Sequence, residues 1–76
     1  MVTEAAEDGR MGPDEIFRLI VKADDAVKYA RADTLAVRVD RARRLLLQAR
    51  QEAQAIGNDA LVHLADQRLA DLESLQ

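Results

Sequence analysis

"LAVRVDRARRLLLQARQEAQAIGND", residues 35–59, places apolar side chains at Leu35, Val39, Ala42, Leu46, Ala49, Ala53 and Ile56, alternately four and three residues apart. Successive residues of an α-helix turn by about 100°, so this spacing keeps all seven on one line. A seam of that kind packs beside other helices at a shallow angle. The stretch therefore predicts a helix from Thr34 to Ile56 that stops at Gly57, a residue free to take the left-handed conformation of a helix end. Asn58 or Asp59 then caps a following helix.

Working outward toward the C-terminus, a helix from Asp59 to about Leu75 brings Leu61, Leu64, Ala65, Leu72 and Leu75 onto one face, with Val62 and Leu69 at its edge. Toward the N-terminus the signal is "GPDE", residues 12–15. Proline suits the first helical turn, and Asp14 and Glu15 sit at the positive end of the helix dipole. A helix from Pro13 to about Arg31 aligns Ile16, Leu19, Ile20, Ala23, Ala26, Val27 and Ala30. The joint between the first two helices, "RADT" at residues 31–34, holds neither Gly nor Pro. Asp33 is the candidate N-cap there, and one long bent helix is the alternative. Residues 1–12 are small, acidic and without periodicity, which predicts a disordered tail. The expected architecture is all-α: a helical hairpin plus a third helix over residues 13–76, in an up-down-up bundle.

A chain of 76 residues forms one domain at most, and so small a core supplies only ~3–5 kcal/mol. No cysteine is present to add a disulfide or a thiolate metal site, and the single histidine, His63, cannot hold a metal alone. Neither a metal nor a cofactor is expected. No apolar run approaches a membrane span, and "MVTEAAEDGRMG" lacks the basic start and apolar centre of a secretion signal. A cytoplasmic protein is the default expectation. Nine of the eleven basic residues are arginine, which with the alanine content suggests GC-rich, bacterial coding.

The five arginines of residues 38–50 invite a nucleic-acid reading, but the helical wheel divides them. Arg43 and Arg50 lie on one flank of the seam, Arg38 and Arg41 on the other, and Arg44 points to solvent. A DNA-reading helix would gather them on one face. Flanking a core stripe, their aliphatic stems instead cover apolar surface while the charged heads stay wet. Helix 2 sets its five arginines against Asp40 and Glu52, and helix 3 sets Asp59, Asp66, Asp71 and Glu73 against Arg68, so the two attract. The formal net charge of −3 further opposes phosphate-backbone binding, so nucleic acid is a remote third reading, through Arg38, Arg41 and Arg44.

Four residues stand out as candidates for partner binding. Arg68 sits in the centre of the apolar face of helix 3 and requires an acid, Asp24, Asp25 or Glu52 within the chain, or else a partner's carboxylate. Phe17 and Val21 pair one turn apart beside the core stripe of helix 1, and Leu47 is similarly displaced on helix 2. If exposed, they mark a docking strip. Tyr29, beside Lys22 and Asp25, reads as a surface residue, and His63 as solvated. Asp24 and Asp25 point about 100° apart and so share no site. With no catalytic pair, no phosphate loop and no pocket expected in so thin a bundle, enzyme activity is not expected.

"RRLLLQARQEAQAIGNDALVHLADQRLADL", residues 43–72, resembles the helix–turn–helix texture of tetratricopeptide repeats in its small residues Ala49, Ala53 and Ala65 and its Gly57 turn. Residues 13–75 are also similar in layout to three-helix MIT (microtubule-interacting-and-trafficking) domains, where "LIVKADDAV" and "DRARRLLLQA" answer to the alanine-bearing first and second helices. Both resemblances imply binding of a short peptide or helix in a groove between helices, and neither carries over a residue role. The function expected from sequence is thus a non-enzymatic protein–protein interaction module. The alternative is a homodimer built on the helix 2 seam or on the Arg68 face.

Overall fold

The computed structural model describes residues 11–75, which form three helices: α1 (Pro13–Lys28), α2 (Leu35–Ala55) and α3 (Asp59–Ser74). No strand occurs among the described residues. The chain runs up, down and up, with α1 and α3 each packed closely on α2 and touching one another far less. Helix α2 is thus the spine, and its seam faces two neighbours. Val39, Ala42, Leu46, Ala49 and Ala53 are all buried, meeting Ile16, Ile20, Ala23 and Ala26 of α1 and Ala65 and Leu72 of α3 in one core. Three alanines in five seam positions explain the geometry. Short side chains let the backbone of α2 approach both partners, and Leu46 and Val39 fill what remains.

The ends of the elements show which local forces prevail. The α2–α3 turn is as expected from sequence. Gly57 has φ +69°, Asn58 N–H donates to Ala53 O at 2.9 Å and Gly57 N–H to Gln54 O at 3.1 Å, the two bonds of a Schellman stop. Of the two candidate caps it is Asn58 that acts, its side-chain oxygen accepting from Leu61 N–H at 3.1 Å.

At the α1–α2 joint two separate helices form, as expected, but α1 ends at Lys28 rather than near Arg31, and Ala30 lies outside it. Asp33 is not the N-cap. That position belongs to Thr34, whose hydroxyl oxygen accepts from Arg31 N–H at 3.0 Å while the hydroxyl donates to Arg31 O at 3.3 Å. A threonine tying the loop from both sides holds the turn where no glycine or proline marks it.

At the N-terminus two residues of the expected tail, Met11 and Gly12, take part in the fold. Met11 packs against the core, and Gly12 N–H donates to the Glu15 carboxylate at 2.9 Å. Glycine has no side chain to return the bond, so Glu15 supplies half of a capping box by itself. The expected disordered tail spans residues 1–12, of which residues 1–10 lie outside the described residues.

Helix α3 is the least covered element. Only Ala65 and Leu72 are buried, Leu61, Val62, Leu64 and Leu69 pack partly, and Leu75, expected on the apolar face, lies past the helix end at 45% exposure. The reason is topological. With α1 and α3 barely in contact, α3 has one neighbour against which to bury its stripe.

Candidate functional site

Among the described residues an ion pair joins α2 to α3. Arg50 Nε lies 2.6 Å from Asp66 Oδ1 on α3. Its N–H does not point along that line, so the contact is a charge pair rather than an aligned hydrogen bond. Within α2, Asp40 meets both Arg44 at 2.6 Å and Arg43 at 3.7 Å. Arg68 Nε donates to Asp24 Oδ2 of α1 at 3.2 Å, which selects Asp24 from the three acids considered. Asp24 and Asp25 do serve different surfaces: the first pairs with Arg68, and the second lines a separate cleft with no ion pair of its own. These contacts are half-exposed, so each contributes ~0–1 kcal/mol and orients helices more than it stabilises them.

The ion pairs also locate the four candidate residues. Asp66 and Arg68 are two positions apart, about 200° around α3, so α3 turns one edge to α1 and the other to the Arg50 flank of α2. Phe17 and Val21 share the Asp24 flank of α1, at spacings of seven and three residues, and so border the α1–α3 side together with Arg68. Leu47 lies three residues before Arg50 and four after Arg43, on the opposite side of α3. Phe17 and Leu47 are each 49% exposed and Val21 is also exposed. A single groove bordered by Phe17, Val21 and Leu47 is therefore not formed. Three of the four candidates converge, and Leu47 stands apart.

The expectation of a bundle without pockets is also corrected. Because α1 and α3 meet only loosely, an open cleft of about 280 Å³ lies between them. Its floor is Ala23, Val27, Leu46 and Leu72, and its rim carries Asp24, Arg68, Lys28 and Asp71. A second cleft of about 360 Å³ lies between α1 and α2, where Lys22 and Tyr29 of α1 face Arg38 and Arg41 of α2 over Ala26 and Leu45. Arg38 and Arg41 flank the seam opposite Arg43 and Arg50, as the wheel predicts. What escapes a reading of separate helices is that this flank meets Lys22 and Tyr29, since only the register of α1 on α2 brings them together.

Among the described residues, no group of His, Asp and Glu is placed to hold a metal ion. No helix of the described residues is long and apolar enough to cross a membrane. His63 is exposed on α3, and Tyr29, two-thirds exposed, has Lys28 Nζ at 5.5 Å from its ring centroid. No family model, curated protein or solved structure matches the chain. The likeness to tetratricopeptide and MIT hairpins thus rests on texture, which alanine-rich helices packed closely on one another share for physical reasons.

Proposed function

We propose that the chain is a non-enzymatic protein–protein interaction module that receives a partner's helix or extended peptide in the α1–α3 cleft. The observation that carries this reading is the cleft floor. Leu46 and Leu72 belong to the core yet line an open cleft, and the exposed Phe17 and Val21 fall on the same flank of α1 as Asp24 at its rim. A helix presenting an apolar residue every three or four positions would complete the packing that α1 and α3 leave unfinished. Arg68 and Asp24 at the rim would trade their mutual bond for charged groups of that partner, and an arginine beside apolar surface is a frequent anchor of such contacts. The test is capture with the intact chain and with variants on both sides of α3. Phe17→Asp with Val21→Asp is expected to release the partner, and Leu47→Asp to retain it. If every partner stayed bound to the α1 variant, this surface would be excluded.

A second reading has one specific support. The rim carries two cations, Arg68 and Lys28, and two carboxylates, Asp24 and Asp71, so the face is complementary to itself across a two-fold axis. A homodimer would use this face. The α2 seam is unavailable for it, since Val39, Ala42, Leu46, Ala49 and Ala53 are occupied within the chain.

A further inference from the structure

The cleft between α1 and α2 gathers three cations from two helices. Arg43 and Arg44 share Asp40, Arg50 meets Asp66, and Arg68 meets Asp24. Lys22, Arg38 and Arg41 enter none of these pairs, yet two helices bring them to one cleft together with the ring of Tyr29. Asp25 is the single carboxylate in its lining and, among the described residues, forms no ion pair with any of the three. In a chain of net charge −3 this convergence is not a consequence of composition.

We propose that this cleft is a binding site for a small organic phosphate, a phosphomonoester on a hydroxyl-bearing body. The phosphoryl oxygens would take the guanidinium groups of Arg38 and Arg41, whose planar forks match phosphate geometry, and the Lys22 ammonium. Arg38 and Arg41 are three residues apart on one flank of α2, so both forks reach the same group. Asp25, unsuited to an anion, would accept from a hydroxyl of the body, and Ala26 and Leu45 would floor its carbon skeleton. The volume of about 360 Å³ suits a molecule of this size. A nucleic-acid strand fits less well, because the next cations along α2, Arg43 and Arg44, are both engaged by Asp40. The proposal is independent of the α1–α3 docking surface.

The test is calorimetric titration of the full chain with ribose 5-phosphate and with inorganic phosphate, with the Tyr29 ring resonances followed by NMR. Saturable binding of ribose 5-phosphate that moves the Tyr29 signals is expected, tighter than that of inorganic phosphate. Arg38→Gln with Arg41→Gln should weaken it by about tenfold or more, as loss of charge-assisted hydrogen bonds demands, while Arg44→Gln leaves it within about twofold. The far-ultraviolet circular dichroism of each variant checks that the helices persist. Should the double variant not fold, Lys22→Gln and Asp25→Ala substitute for it, the first weakening both probes and the second removing the preference for the sugar phosphate. Equal affinity of wild type and variants, or no movement of Tyr29, overturns the site. So does preferential binding of a single-stranded oligonucleotide or an acidic peptide, which would reassign these cations to a macromolecule.

Discussion

Asn58 and Gly57 show how much a single position decides in a domain of a size at which a hydrophobic core supplies only ~3–5 kcal/mol. Removing the Asn58 cap in Asn58→Ala leaves Leu61 N–H without its partner and should cost ~1 kcal/mol. A chain of this size then loses roughly 4–8 °C in its melting midpoint, read by circular dichroism. Gly57→Ala should cost a similar ~1 kcal/mol, purely through backbone strain at φ +69°, because an added Cβ meets nothing within 4 Å. Arg68 behaves in the opposite way. Its side chain is more than a third exposed in the pair with Asp24, so Arg68→Met should change stability by less than ~1 kcal/mol while weakening capture of the partner. A loss of fold in that variant would make Arg68 a structural residue rather than a docking one.

At the scale of the helices, α2 carries the argument, because its seam serves α1 and α3 at once. Leu46→Ala would remove a side chain that is 1% exposed, at a cost of ~2–5 kcal/mol, which is comparable to what a core of this size supplies. That variant is expected to be largely unfolded by circular dichroism at 25 °C. Ala49→Leu should destabilise by ~1–3 kcal/mol for the reverse reason, since Ala49 is fully buried and a larger residue would push the helices apart. Seam and turn were legible in the sequence, because periodicity and the Gly57–Asn58 pair act locally. The α1–α2 joint was not. Asp33 and Thr34 are both good capping residues, and the choice of Thr34 came with its contacts to Arg31, three residues back.

For the molecule as a whole, the loose meeting of α1 and α3 is what leaves a surface for function. It opens the cleft over Leu46 and Leu72 and keeps α3 half covered. Sedimentation at high micromolar concentration tests whether this face is met by a second copy. The interaction-module reading expects monomer, and the dimer reading expects a self-association that Arg68→Glu abolishes through like-charge contact with Asp24 and Asp71. Of the candidate residues, Phe17, Val21 and Leu47 are all exposed, but the separation of Leu47 from the other two follows from where α3 lies. No helical wheel of α1 or α2 contains that fact.

By itself the sequence determined the seam that joins the helices and the stop at Gly57, because the first is a repeat along one helix and the second arises from interactions within a few residues. Tertiary structure decided the rest: which acid answers Arg68, which flank α3 covers, and that Lys22, Tyr29, Arg38 and Arg41 converge on one cleft. These depend on the register and rotation of one helix against another, set by the packing of Val39, Leu46 and the seam alanines as a group. Such packing is a property of the assembled core, shared among residues far apart in the chain and spelled out by none of them alone.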